Sequence, residues 1–185
     1  RSKLLGVIRL AQPTDSEGVV RTVRAVYDEY GFTWEEGGYH ADLYDLRPYC
    51  DLERARFWVA ELDGRVVGCG GIRFFTKIPG QQGELVIVDD YERVAGTSAE
   101  IIRMYVHPEA RRSGIATAIM NEIKAATSEP IEIWSDKRFI NAHRLYQRFG
   151  AEVVGERICH DPDQAPEWGM ILAKNNGKAI QAPPH

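Results

Sequence analysis

The chain is poor in the features that mark many specialised proteins. Its 185 residues contain only three cysteines, Cys50, Cys69 and Cys159, widely separated and with no CxxC pair. That spacing argues against a disulfide framework or a cysteine zinc site and suits a reducing, cytoplasmic setting. No run approaches the ~20 apolar residues of a membrane span. The opening "RSKLLGVIRL" is too short in apolar residues for a signal-peptide core and has no small-residue cleavage site after it, so it reads as a first strand. Neither sign of charge dominates: 23 Lys and Arg against 27 Asp and Glu leave −4 at pH 7, which disfavours a general nucleic-acid binder. No internal repeat, low-complexity segment, GxxxxGK[ST] loop or three-glycine dinucleotide fingerprint occurs.

What is present is the patterning of one globular domain over residues 1–174, followed by a polar, proline-containing tail at 175–185. "GVIRLAQ" at 6–12 reads as a strand. The helix that follows, over 13–31, carries an apolar stripe through Val19, Val23, Val26, Tyr27 and Tyr30. Thr14 and Glu17 have capping-box spacing there, and Gly31 is the stop. Residues 32–50 are aromatic and acidic, with at most one short helix. Strands at 56–62 and 65–74 flank Asp63-Gly64 as a hairpin. Residues 76–97 read as a Gly-rich acidic linker with an apolar "LVIV". A strand "AEIIRMYVHP" leads to a helix over 114–127. The strand "PIEIWS" then leads to a helix capped by Ser135 or Asp136 and stopped by Gly150. "AEVVGER" and "EWGMILAK" close the chain. This order implies an α/β (α+β) mixed sheet with helices on both faces rather than a regular βαβ repeat.

The run Arg111-Arg112-Ser113-Gly114-Ile115-Ala116 joins a strand to a helix start. A helix N-terminus offers unpaired N–H groups and a positive dipole end. Gly114 removes the Cβ that would block close approach of an anion, and two arginines add charge-assisted donors. The same run could be a solvated turn; its flanks decide. Strand, R-x-x-G-x-A run and helix resemble the acetyl-coenzyme A signature of the GNAT superfamily of N-acetyltransferases, with Arg111, Gly114 and Ala116 at the signature positions. "AHRLYQRFGAEVVGER" resembles the second signature of that family. The resemblance spans roughly residues 6–174.

The resemblance implies a twisted, mostly antiparallel sheet of about seven strands and direct acetyl transfer from acetyl-coenzyme A, without a metal, to a primary amine. It implies that the strand at Met104, Tyr105 and Val106 pairs with the pantetheine arm. It also implies that Arg111, Arg112, Ser113, Gly114, Ile115, Ala116 and Thr117 hold the pyrophosphate. By the same resemblance Tyr146 is the general acid toward the sulfur, although on helical spacing alone it is equally a core tyrosine beside Phe139, Ala142 and Phe149. Glu100 matches a glutamate that some relatives use as base. Acidic residues in 84–92, Glu35, Glu36 and Glu167 are its rivals. Relatives often carry Asn where this chain has Phe139; Asn141 is two residues away.

His107 reads as a loop residue, and Cys159-His160-Asp161 with Asp163 as a polar turn rather than a metal site. Cys69 reads as a small core residue, and no Cys–His pairing suggests an acetyl-enzyme. The expected acceptor is a small-molecule or amino-acid-like amine, with neither nucleic acid nor membrane as partner. The alternatives are a non-catalytic acyl-coenzyme A-binding regulatory module and a protein or peptide N-acetyltransferase. A homodimer is consistent with the resemblance, which leaves the oligomeric state open.

Overall fold

The computed structural model describes residues 6–173 and 179–181. Seven strands form one sheet: β1 (Val7–Leu10), β2 (Ala55–Leu62), β3 (Arg65–Phe74), β6 (Ala99–Val106), β7 (Ile131–Asp136), β8 (Glu152–Ile158) and β9 (Pro166–Leu172), in the order β1-β2-β3-β6-β7-β9-β8. Every neighbouring pair is antiparallel except β6–β7. Helices α1 (Ser16–Tyr30), α2 (Ile115–Ala126) and α3 (Ile140–Arg148) cover the two faces. Two clusters of buried side chains follow from the alternation of the strands. One joins Ile101, Ile133, Met170 and Leu172 to Ile119 and Ile123 of α2, Leu145 of α3 and Phe149 just after it. The other joins Phe57, Val59 and Cys69 to Val19, Val23 and Tyr27 of α1, and to Leu43 and Leu46. The mostly antiparallel seven-stranded sheet and the core position of Cys69 agree with the sequence.

Several local expectations are corrected. α1 begins at Ser16, after a 3-10 turn over Pro13–Asp15. Its entry is held by Asp15, which accepts the Gln12 N–H at 2.7 Å and an ion pair from Arg9 at 2.8 Å; the Thr14–Glu17 spacing plays no such part. Residues 76–97 are no linker: β4 (Leu85–Val88) and β5 (Tyr91–Val94) form a hairpin. Its two-residue turn places both Asp89 and Asp90 at positive φ, 51° and 62°, the twist a tight hairpin requires. Buried Glu132 staples that hairpin to the sheet, accepting from Arg93 Nε at 2.9 Å, Arg93 Nη2 at 3.0 Å and Val94 N–H at 3.3 Å.

Residues 32–50 contain two 3-10 turns, Ala41–Tyr44 and Arg47–Cys50, and bury Leu43, Leu46 and His40. β7 runs through Asp136, so α3 starts later than expected. Asp136 accepts from the Arg138 N–H at 2.9 Å and from its guanidinium at 2.6 Å, turning the chain before the helix. Of the expected tail, residues 175–178 and 182–185 lie outside the described residues. Residues 179–181 are held: Asn121 exchanges two hydrogen bonds with the Ile180 backbone, at 2.7 and 2.8 Å, and Arg148 donates to the Gln181 carbonyl at 2.7 Å.

Candidate functional site

The site originates in a fork between two strands. β6 and β7 are in register only at Ala99↔Ile131 and Glu100↔Glu132; beyond those residues they part. The cause lies in β6. Its pairing with β3 steps from Cys69↔Tyr105 to Gly71↔Ile102, so Gly70 faces both Arg103 and Met104. Two residues against one is a β-bulge, which bends the strand and re-aims a side chain. Arg103 carries the bulge at φ 48°. Gly70 is required opposite it, because a Cβ there would stand 2.9 Å from the Met104 side chain and 3.1 Å from Ile119. The fork opens a cleft of about 1100 Å³.

One half of the cleft is the strand–helix junction. Gly114, at φ 79° and ψ 6°, is the N-cap of α2, and Arg112 is also at positive φ, 62°. This places the first N–H groups of α2 at the cleft with no side chain between. Arg111 donates to Glu29 of α1 at 2.6 Å, while the Ser113 hydroxyl donates to the Ala110 carbonyl. The Ile115 side chain turns away into the core, where a Cβ on Gly68 would touch it at 2.7 Å. Arg148 of α3 adds a third arginine that sequence reasoning did not single out.

Met104, Tyr105, Val106, Arg111, Arg112, Ser113, Gly114, Ile115, Ala116, Thr117, Glu100 and Tyr146 all line this one cleft, as does Asn141. Phe139 packs edge-on against Tyr30 and Tyr105, with centroids 5.0 and 6.1 Å away. Tyr146 is buried, and its hydroxyl has no partner among the described residues, although it is not sealed from the cleft. Burial holds its phenol above the ordinary value, and the neighbouring Tyr105 adds to that, so the group stays protonated.

The other half lies on the α1 face, where most of the residues missed by sequence reasoning sit. Arg103 reaches Asp42 through Nε at 3.0 Å and Nη2 at 2.7 Å, over the Tyr39 ring at 4.7 Å. The Tyr49 hydroxyl donates to Asp42 at 2.6 Å. Glu100 pairs with Arg73. Arg157 lies between the rings of Tyr91 and Trp134, at 3.7 and 4.0 Å, and donates to Glu167 at 2.9 Å. Segment 32–50 closes over this half. Thr33 ties it to the loop after β8, donating to Asp163 from its N–H at 2.8 Å and its hydroxyl at 2.6 Å. Asp161 accepts the Ala165 N–H at 2.8 Å, and His160 stacks on Tyr91, so each of these turn residues has a packing role. His107 accepts the Glu109 N–H at 3.2 Å in the turn after β6. Glu35 accepts the Tyr39 N–H at 2.7 Å and is exposed, as is Glu36; neither lines the cleft.

The structure is thus an α/β domain whose mixed sheet is forked between β6 and β7, with a glycine-capped helix start lining the fork. The sequence profile of the acetyltransferase (GNAT) family matches residues 23–151, and the chain belongs to that family. It is 30% identical over 112 residues to an uncharacterized N-acetyltransferase, YjgM, of Escherichia coli K12. That match covers 60% of this chain and 58% of the relative's length. Among solved structures, Ard1 from Thermoplasma volcanium has the same fold at 19% identity and a TM-score of 0.63, over 90% of this chain and 95% of that one. A phosphinothricin acetyltransferase from Sinorhizobium meliloti, solved in complex with AcCoA, matches at 17% identity and a TM-score of 0.61, over 96% and 93%.

Proposed function

We propose that the protein is an N-acetyltransferase that moves an acetyl group from acetyl-coenzyme A directly to a primary amine of a small molecule. One observation carries the reading. A single cleft runs from a glycine-capped helix start flanked by arginines, past an unpartnered tyrosine hydroxyl, into a half closed by segment 32–50. The residues present fit the donor. Gly114 leaves the helix N–H groups open, and Arg111, Arg112 and Arg148 supply charge for a pyrophosphate. The backbone of Met104–Val106, beyond the last β6–β7 pair, offers free edge groups to an extended arm. Acetyl-coenzyme A supplies an activated acyl group as a thioester. The chain orients it, keeps water from the covered half, and holds a proton on the Tyr146 phenol for the leaving sulfur.

The enclosed second half favours a small acceptor over a peptide, because segment 32–50 occupies the space an open groove would need. A pure binding module has no use for the unpartnered Tyr146 hydroxyl. The test is a thermal-shift titration with acetyl-coenzyme A, followed by thiol release with a panel of amines, amino acids and peptides. A ligand at a hundred times its dissociation constant adds ~2.7 kcal/mol, so a clear rise in melting temperature is expected. No rise defeats the assignment; thiol release with peptides alone defeats the small-acceptor part.

A further inference from the structure

Four arginine-bound carboxylates line the acceptor half of the cleft, and they are not equivalent. Asp136 is consumed, since both of its oxygens accept from Arg138. Asp42 is consumed too: both oxygens accept from Arg103, and one also accepts from Tyr49. Glu100 stands at the closed end of the fork, where β6 and β7 are still paired, and its partner Arg73 is half exposed. Glu167 differs from all three. It lies on β9 opposite Asp136, the last residue of β7, and opposite Arg157 on β8. It therefore sits where the fork has opened.

Glu167 is only 7% exposed. Arg157 is immobilised by two aromatic rings, spends Nη1 on the Glu92 carbonyl at 2.9 Å, and gives Glu167 a single bond, Nε to Oε1. Oε2 has no partner among the described residues. It is not a sealed, unsatisfied atom either, since the one such side-chain atom among the described residues is His40 Nε2. The surface left to Oε2 is therefore the cleft that Glu167 lines.

We propose that Glu167, held by Arg157, receives the acceptor as its ammonium ion and takes a proton from it, and that Glu100 is a wall residue. This rests on the transferase reading above. The balance is simple. An entering R–NH3+ gives one proton to Glu167, which becomes a carboxylic acid. The freed lone pair forms the C–N bond to the acyl carbon of the thioester. The C–S bond breaks with its electron pair on sulfur. A second N–H proton ends on that sulfur by way of Tyr146, and the third stays in the amide. Glu167 then returns its proton to solvent.

The groups facing Glu167 are Arg157 from β8, Asp136 from β7, Asp161 and Cys159 from the loop, and Tyr91 from β5. Burial raises its pKa, Arg157 opposes, and the two aspartates add to the rise, leaving it above the ordinary carboxylate value. Such a base accepts a proton more readily than an exposed glutamate.

The experiment is carbon NMR of the full chain labelled at glutamate carboxyls, run with and without coenzyme A, the Glu167 signal assigned by its loss in Glu167→Gln. If Glu167→Gln fails to melt cooperatively, Glu167→Asp makes the assignment. The signal is expected to titrate above the ordinary glutamate range and to move when putrescine or glycine amide is added at pH 8. With any amine that turns over, Glu167→Gln is expected to lower kcat by about 10²–10⁴ and to remove the acid limb of kcat/KM. A signal titrating in the ordinary range, or one unmoved by every amine, overturns the proposal, as does loss of the acid limb in Glu100→Gln instead. Failure of coenzyme A to bind counts against the transferase reading, not against this one, because the Glu167 titration is read with or without it.

Discussion

Acid is expected to loosen the cover of the cleft before it unfolds the sheet, through one histidine. His40 is 0% exposed. Its Nδ1 accepts the Glu35 N–H at 3.0 Å, and its Nε2 has no hydrogen-bond partner among the described residues. The ring is stacked on Trp34 at 3.9 Å, with the edges or faces of Tyr27 and Tyr39 at 4.5 and 5.1 Å. A second proton would have to go on the nitrogen that already holds the Glu35 contact. Burial, and then the Arg103 cation, lower its pKa from 6.5 to about 4. Between those values the unfolded chain binds a proton that the folded chain does not. Stability from this group is therefore complete above pH 6.5 and lost as pH falls through that window. At ~1.4 kcal/mol per pH unit, the loss approaches about 3 kcal/mol by pH 4. The assay is urea unfolding at half-unit steps from pH 7 to 4.5, wild type against His40→Gln, whose amide oxygen can keep the Glu35 contact without titrating. Carboxylates common to both chains cancel in the difference. The wild type is expected to lose its advantage steadily below pH 6.5. Parallel curves over the whole range would refute a buried neutral histidine.

The remaining expectations concern the donor half. Tyr146→Phe keeps the ring packed near Phe149 and removes only the hydroxyl, so coenzyme A affinity should hold while single-turnover acetyl transfer falls about 10²–10⁴-fold; an unchanged rate when chemistry limits turnover would make Tyr146 a core residue. Glu29→Gln frees Arg111 from a partly exposed ion pair, worth ~0–1 kcal/mol, so the coenzyme A dissociation constant should fall by up to about fivefold at low salt. Calorimetry showing no change, or weaker binding, would mean that Arg111 does not face the phosphate.

The two halves of the cleft were unequally legible in the sequence. The half proposed for the donor is local: Arg111 to Thr117 is one continuous run whose expected chemistry follows from a strand end, a glycine and a helix start. The succession of seven strands and three long helices followed from hydrophobic period and turn residues in the same way, whereas the mostly antiparallel pairing followed only from the family resemblance. The acceptor half is made of long-range pairs. Arg103 meets Asp42 across 61 residues, and nothing in "IIRMYV" announces that a bulge interrupts the alternation there. Simple period-2 reading puts Arg103 on the face of Ile101, in the core with α2; the bulge turns it to Asp42. The hairpin over 85–94 was hidden for another reason. Its turn is Asp-Asp rather than Asn-Gly or Asp-Gly, so the positive φ values had no glycine to mark them. Its attachment depends on Glu132, which pattern alone would place on an ordinary strand.

That division also explains why the acceptor wall can be so rich in charge and still be buried. On the donor side, Arg111 and Arg112 are exposed and cost little to leave without a ligand, since water solvates them. On the acceptor side, each arginine is matched by a carboxylate, because an unpaired buried charge would cost several kcal/mol. The pairs cancel one another at a distance, and Asp161, which accepts the Ala165 N–H, leaves that part of the wall slightly acidic. Discrimination must then come from an oxygen left unsatisfied by its pair. Among Asp42, Glu100, Asp136 and Glu167, only Glu167 combines near-complete burial with a single bond from a partner fixed between two rings. An ammonium group entering there gains both a charge-assisted hydrogen bond and an ion pair with Glu167, whereas a neutral donor gains only the hydrogen bond and an anionic group is repelled. On the reading proposed above, selection for a cationic amine is set by how incompletely one ion pair is made.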